Sequence, residues 1–179
     1  SRQGALSADR EITASTTASG QPVSSSGSCR PAATAPVQTG GASKEDQEPN
    51  HAGNVGGKSV WYRFLAPANG TLSLSTSNST FDTLLAVYSG TRVSALTALA
   101  SNDDDGTNIY SHIDVGVMAG QTYHIAVDGV GGASGTVVLN FAFMDLTIYD
   151  VTLAVSGSAA AGIGLTPVGQ LVPPVCGLR

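Results

Sequence analysis

Apolar and polar residues alternate along the middle of the chain, and turn signals separate one alternating run from the next. The clearest turn signals are Pro67-Ala68-Asn69-Gly70, Ser89-Gly90 and Gly131-Gly132. Alternation with a period of two places every second side chain on the same face of an extended strand. The predicted strands are Val60–Leu65, Thr71–Ser75, Thr83–Ser89, Tyr110–Val117, Gln121–Asp128 and Gly135–Phe143. The pattern therefore predicts an all-β domain.

The inward faces of the fourth and fifth predicted strands also predict a hairpin register. If both apolar faces look into the same core, Ile113 lies opposite Ile125, and residues 118–120 form the connection. This register places Asp114 opposite His124 on the outward face. A slip of one residue would bury both polar side chains, so the register is expected to be strongly specified.

The composition favours turn-rich β-structure with neutral polar outer faces. Only 12% of the 179 residues are charged, about half the usual share, and Lys44 and Lys58 are the only lysines. The net charge is −5, and no lysine or arginine occurs between positions 93 and 178. A surface of that sign repels phosphate backbones, which argues against nucleic-acid binding. No run of eighteen apolar residues occurs, so no membrane span is predicted.

An ordered series of motifs runs through the same region. The motifs are Lys44–Phe64, Phe81–Gly90, Ala100–Asp105 and Tyr123–Gly129. In order and spacing they resemble the bacterial pre-peptidase C-terminal domain, a small secreted accessory module. The resemblance covers residues 37–143. It implies a non-catalytic antiparallel β-sandwich of jelly-roll or Greek-key type, placed outside the cell or at its surface.

Extensions flank the predicted sandwich on both sides, over residues 1–36 and 144–179. The first is rich in Ser, Thr and Gly and holds one candidate strand, Glu11–Ala14. The second holds a candidate strand, Asp145–Val155, followed by an apolar tail. Neither extension can build a core of its own, so both are expected to pack on this sandwich or on a neighbouring molecule.

Each extension carries one cysteine, Cys29 in the first and Cys176 in the second. In an oxidising compartment a disulfide between them would stabilise the fold by up to about 4–5 kcal/mol through the entropy of the unfolded chain. Bonds from each cysteine to a neighbouring molecule are the alternative. The disulfide within one chain is the preferred prediction.

Two acidic stretches are candidate calcium sites, because hard cations take carboxylate and carbonyl oxygens. The candidate ligands are Glu45, Asp46, Glu48 and Asn50 in the first stretch and Asp103, Asp104 and Asp105 in the second. In the similar collagen-binding modules of clostridial collagenases, the acidic segment entering the first strand binds calcium. Here Lys58 stands where those modules carry further acidic ligands, and turns capped by side chains are the alternative. No other cofactor is predicted.

The sequence carries no catalytic motif of the hydrolase or nucleotide-binding kinds. It lacks the nucleophile elbow, the paired-histidine zinc motif and the phosphate-binding loop. His112, His124 and Asp114 are predicted to share one outward face, which could mimic part of an acid–base site. An exposed Asp–His pair contributes well under about 1 kcal/mol. The prediction is that the protein is not an enzyme.

Three other side chains are candidates for packing or for modification. Trp61, the only tryptophan, is predicted to anchor the core, and stacking on a sugar or peptide is the alternative. Asn69 and Asn78 fit the acceptor pattern for N-linked glycans, and both lie in or beside predicted turns. Glycans at these two positions would be tolerated.

Two classes of function remain open from the sequence. In the first, the protein is a structural subunit of a cell-surface or filamentous homopolymer, and its extensions complete the sheets of neighbours by strand addition. In the second, it is a binding or adhesion module of a secreted peptidase or other exported enzyme, attached to a polysaccharide or protein surface. The strand-bearing extensions favour the first class, and the resemblance favours the second. The first is the preferred prediction.

Overall fold

Eleven strands and two short 3-10 turns build the part of the chain that the computed structural model describes, which is the backbone of Arg10–Ile12 and all of residues 32–145. The strands are β1 (Arg10–Ile12), β2 (Ala32–Ala33), β3 (Val37–Gln38), β4 (Val60–Leu65), β5 (Gly70–Ser75), β6 (Thr83–Ser89), β7 (Thr97–Asn102), β8 (His112–Val117), β9 (Thr122–Gly129), β10 (Thr136–Val137) and β11 (Asn140–Asp145). The all-β class is confirmed. Within the described residues, no helix has the length and apolar character needed to cross a membrane.

Two sheets contain most of the strands. Sheet A has the order β1-β4-β9-β6-β7, sheet B has the order β2-β11-β5-β8, and β3 and β10 form a separate two-stranded ribbon. All pairings are antiparallel except that of β1, which joins β4 in parallel with Arg10 opposite Tyr62. Strands β7 and β8 lie against each other at one side of the two sheets.

One hydrophobic core lies between the sheets and receives side chains from both. Phe64 of sheet A and Phe143 of sheet B meet there, with 5.8 Å between their ring centroids. The other fully buried core side chains include Tyr62, Leu72, Leu74, Leu85, Val87, Ile125, Val127, Val137 and Leu139. Burying a side chain of this size contributes about 1.5–3 kcal/mol. The predicted inward positions are therefore the ones that hold the two sheets together.

The predicted hairpin between β8 and β9 is wrong. Strand β8 pairs with β5 in sheet B, with Ile113 opposite Leu74, whereas β9 pairs with β4 and β6 in sheet A, with Ile125 opposite Tyr62. Residues 118–121 carry the chain from one sheet to the other. Both apolar faces still look into the core, each from its own sheet, because alternation specifies the buried face and not the pairing partner.

The last predicted strand of the sandwich, Gly135–Phe143, is divided in two. β10 pairs with β3, and β11 pairs with β2 and β5. Between them the N–H groups of Val138 and Leu139 donate to the hydroxyls of Ser79 and Thr34 instead of joining a strand ladder. Strand β7 escaped prediction because most of its side chains are exposed, so it has no apolar alternation to detect.

The N-terminal extension supplies an edge strand to each sheet. β1 lies beside β4 in sheet A, and β2 lies beside β11 in sheet B. Two residues of the candidate strand Glu11–Ala14 lie in β1, and Thr13 and Ala14 lie outside the described residues. Cys29, Cys176 and nearly all of the candidate strand Asp145–Val155 lie outside the described residues, so the disulfide and the second extension stay predictions.

Candidate functional site

A buried polar network lies on the outer face of sheet A, where the acidic segment, residues 44–58, covers it. His51 Nε2 is 2.8 Å from Glu48 Oε1, and His51 Nδ1 is 2.8 Å from the hydroxyl oxygen of Tyr88. The second Glu48 oxygen accepts the Glu45 N–H at 2.7 Å. Glu48, His51 and Tyr88 are all buried. Because both ring nitrogens of His51 are engaged, the network fastens the segment to the sheet.

Trp61 packs against this network and not in the core between the sheets. Its ring centroid is 5.5 Å from that of His51 and 5.7 Å from that of Tyr88, and the residue is only 7% exposed. With Ala86, Tyr88 and Ala126 it forms a second small apolar cluster. Its predicted structural role is confirmed, but its predicted place in the core is wrong, because the cluster lies on the outer face of sheet A. The indole is covered and does not offer its face to a ligand.

Charge in this network is arranged so that Glu48 stays ionised. Burial raises the pKa of Glu48, but hydrogen bonds with His51 and with the Glu45 N–H outweigh it and hold the pKa below its usual value. Burial, and then the nearby Glu48 charge, raises the pKa of Tyr88 to about 12. Tyr88 is therefore a neutral hydroxyl at neutral pH.

Acid is expected to weaken the hold of the acidic segment. The folded-state pKa of Glu48 lies below the ordinary value of 4.5, so its contribution to stability is present above that value and is lost as the pH falls through the folded pKa. Glu48→Gln keeps the size of the side chain and removes its titration. We expect the difference in free energy of unfolding between wild type and variant to shrink as urea titrations move from about pH 7 to about pH 3.

The matched control is Asp46→Asn, which neutralises an exposed carboxylate in the same segment. It is expected to change the free energy of unfolding at neutral pH by less than about 0.5 kcal/mol. A difference between wild type and Glu48→Gln that stays constant with pH would contradict the assignment of Glu48.

Asp128, at the end of β9, holds the other end of the acidic segment. Its carboxylate accepts the N–H groups of Gly57 at 2.8 Å, Lys58 at 2.8 Å and Gly129 at 2.7 Å, and the residue is fully buried. Gly56 has φ +58, and a Cβ there would overlap with Asp128 Oδ2. The sequence analysis gave Asp128 no role. The Gly56-Gly57 pair was the available signal, since adjacent glycines permit close approach to a buried group.

Within the described residues, two groups of three side chains have potential metal-ligand atoms within 4.8 Å of one another: Glu48 with His51 and Asp128, and Asp82 with Asp103 and Asp104. The first group is already satisfied by hydrogen bonds, since both nitrogens of His51 are engaged and Asp128 accepts three backbone N–H groups. We assign that group a structural role.

The second group has the features of a cation site. Asp82 precedes β6, and Asp103 and Asp104 follow β7. The Oδ1 atoms of Asp82 and Asp103 are buried and have no hydrogen-bond partner among the described residues. Burial and the charge of Asp104 raise the pKa of both. The carboxylates of Asp82, Asp103 and Asp104 repel one another, and binding of a proton or a cation would relieve this repulsion. A set of carboxylate oxygens suits calcium. The calcium prediction for Asp103 and Asp104 therefore gains Asp82 as a third ligand.

The other predicted calcium ligands are not brought together. No three-ligand group within the described range includes Glu45 or Asp46, and Glu48 is engaged by His51. Asn50 Oδ1 accepts a hydrogen bond of 2.8 Å from the Lys44 ammonium. Asp105 instead lines a groove on sheet B. Calcium binding by the first stretch stays a prediction.

His112 and Asp114 lie on the same outward face of sheet B, as predicted, but the prediction that His124 shares this face is wrong. His124 lies in sheet A, only 7% exposed, with Nε2 3.1 Å from the Gly90 carbonyl oxygen. On sheet B, His112 Nε2 lies 3.2 Å from Ser73 Oγ and 3.4 Å from Asp114 Oδ1. A catalytic triad requires the nucleophile and the acid to contact different ring nitrogens. Here Ser73 Oγ and Asp114 Oδ1 both lie near His112 Nε2, so Ser73, His112 and Asp114 do not form a triad.

The two predicted glycan acceptors are both exposed. Asn69 Oδ1 accepts the Ala119 N–H at 2.9 Å, and Asn78 has φ +73 at a turn. Modification at either position stays a prediction.

No family model and no curated protein matches the chain. The resemblance to the pre-peptidase C-terminal domain therefore stays a prediction that depends on the order of the motifs. What the structure establishes is the class: an all-β, sandwich-like protein. Three of those motifs each supply one aspartate: Oδ1 of Asp82 and of Asp103 is buried without a hydrogen-bond partner among the described residues, and Asp128 is fully buried.

Proposed function

We propose that the protein is a non-catalytic extracellular structural protein, a subunit of a cell-surface or filamentous assembly held by strand exchange between neighbours. The observation that carries the proposal is the position of β1, a three-residue segment added in parallel to the edge of β4. Such an addition is made by main-chain hydrogen bonds, so it requires no particular side chains. In the assembly, β1 of one subunit would occupy the β4 edge of the next.

The length of chain between β1 and β2 supports this proposal. Ile12 and Ala32 belong to edge strands of the two sheets, and packed sheets lie only about 10 Å apart. Residues 13–31 join these strands, and a chain of that length reaches about 60 Å when extended. The connection is therefore longer than pairing within one subunit requires and could reach a neighbour.

The energetics also favour exchange. A strand that leaves its own sheet and joins an identical one makes the same contacts, so the exchange costs little beyond the entropy of association. Low charge on the N-terminal extension avoids repulsion between subunits: Arg2, Asp9, Arg10, Glu11 and Arg30 are its only charged residues over positions 1–36.

The test is a proline at the centre of β1. Glu11→Pro removes one N–H and constrains the backbone of the strand, so it is expected to abolish polymers without unfolding the sandwich. Electron microscopy and sedimentation of the purified protein would show polymers for wild type and monomers for the variant. The melting temperature of the variant should stay within about 5 °C of that of the wild type.

Glu11→Ala is the matched control because it removes the side chain and keeps the main-chain N–H. It should still polymerise, since main-chain pairing carries the contact. Wild-type protein that remains a monodisperse monomer at all concentrations would refute the proposal, and polymers of Glu11→Pro would exclude β1 as the exchanged strand.

A further inference from the structure

A groove of about 360 Å³ crosses the outer face of sheet B. Its floor consists of small side chains on the adjacent strands β5 and β11, namely Ser73, Ser75 and Ala142, and Ala142 lies opposite Ser73. Tyr110 and His112 line the groove as well. The small side chains leave open space next to a half-buried aromatic ring.

Several polar groups at the groove are free to bind a ligand. Asn140 is held in place because its Nδ2 donates to the Ser77 carbonyl oxygen at 2.8 Å and to the Ser75 carbonyl oxygen at 3.3 Å, and this leaves its Oδ1 without a partner among the described residues. Within the same range, no hydrogen bond reaches the Asp105 carboxylate or Nδ1 of His112. The groove thus offers free acceptors at Asp105 and Asn140. The Ser73 hydroxyl, 3.2 Å from His112 Nε2, and the Ser75 hydroxyl, which accepts the Ser77 N–H at 3.2 Å, line it as well.

The charge of the groove lining indicates which class of ligand it can bind. Among the described residues that line the groove there is the Asp105 carboxylate and no lysine or arginine, so an anionic ligand is disfavoured. Acceptors and hydroxyls suit a neutral ligand that carries many hydroxyl groups. The ring of Tyr110 suits the apolar C–H face of a sugar, because aromatic side chains combine an apolar body with a polar end. The volume lies within the usual range of small-ligand pockets, about 300–1,000 Å³.

We propose that this groove is a binding site for a neutral polysaccharide, with Tyr110 as the stacking residue and Asp105 and Asn140 as hydrogen-bond acceptors. The site is independent of strand exchange, because the described residues that line it belong to β5, the turn after β5, the loop before β8, β8 and β11, and none belongs to β1 or β4. It would give a surface protein a means of attaching to a glycan matrix, whether or not the protein polymerises.

Affinity electrophoresis tests the proposal with the full chain, in native gels that contain hydroxyethylcellulose, dextran, galactomannan or anionic polygalacturonate. We expect at least one neutral polymer to retard the protein and polygalacturonate to leave it unretarded. Tyr110→Ala should weaken the retardation about tenfold, the loss typical of one important interface residue, and Tyr110→Phe should keep most of it.

Two further variants test the groove even if Tyr110→Ala is poorly folded. Ala142→Leu fills the floor without removing a hydrogen bond and should abolish retardation, whereas Val55→Ala, at a site 67% exposed beside sheet A, should not change it. The proposal is overturned if no neutral polymer retards the wild type, or if Ala142→Leu is retarded like the wild type. Because these gels report on mobility shifts by added polymer, a failure of the strand-exchange proposal would not affect them.

Discussion

Asp128→Ala is expected to lower the free energy of unfolding by about 3–5 kcal/mol, one of the two largest effects that we predict. The substitution leaves the N–H groups of Gly57, Lys58 and Gly129 without their acceptor at a fully buried position. Each buried donor left without a partner costs about 1–3 kcal/mol, and partial entry of water reduces the total. Urea unfolding at neutral pH, followed by Trp61 fluorescence, measures the change.

Two variants are compared with Asp128→Ala. Asp128→Asn keeps the shape and one acceptor oxygen, so it should cost less than the alanine variant. Asp114→Ala removes an aspartate whose side chain is 62% exposed and should change the free energy of unfolding by less than about 0.5 kcal/mol. If Asp128→Ala unfolds within about 1 kcal/mol of the wild type, the carboxylate does not hold the acidic segment as we describe.

Asp103→Asn is expected to have opposite effects with and without calcium. With a chelator present, the variant should melt at a higher temperature than the wild type, because it removes one of the carboxylates that repel each other beside Asp82 and Asp104. With calcium, the wild type should gain stability and the variant should gain little. A ligand at one hundred times its dissociation constant stabilises the folded form by about 2.7 kcal/mol.

The pH dependence has a definite sign. Burial and neighbouring charge raise the folded-state pKa of Asp82 and Asp103, so the stability contributed by their protonated forms is present at acid pH and is lost as the pH rises through the folded pKa. Calcium should prevent this loss of stability, because its charge neutralises the carboxylates of Asp82 and Asp103 in place of the protons. Thermal melts across the acidic range, with chelator and with calcium, measure both effects.

Asp105→Asn is the control for the calcium site, since Asp105 is adjacent in sequence but lies outside the group of three. It should keep the full calcium response. If calcium does not raise the melting temperature of the wild type, the calcium prediction is wrong. A response lost equally in Asp105→Asn and Asp103→Asn would place the ion elsewhere in the loop.

The two outer faces of the sandwich differ in a way that bears on its contacts. On sheet A, the acidic segment and its His51 network cover Trp61 and Tyr88. On sheet B, small side chains such as Ser73 and Ala142 leave the surface open. Contacts with other molecules are therefore expected at the sheet edges and on sheet B.

The sequence by itself determined the class of fold and the inward positions. Val60–Leu65 and Thr83–Ser89 are strands with the predicted bounds, and Leu72 and Ile125 face the core as alternation required. These features follow from local geometry, because a period of two assigns each side chain to a face whatever the strand pairs with.

Only the tertiary structure decided which strands pair and which polar groups meet. Strand β8 pairs with β5 and not with the predicted partner β9. Asp128 accepts a hydrogen bond from Gly57, which lies 71 positions earlier in the chain. Asp103 lies beside Asp82, whereas Asp105, two residues later, lines the groove on sheet B. Such contacts depend on how two sheets pack, and the local pattern of apolar and polar residues carries no information on the distance between strands far apart in sequence.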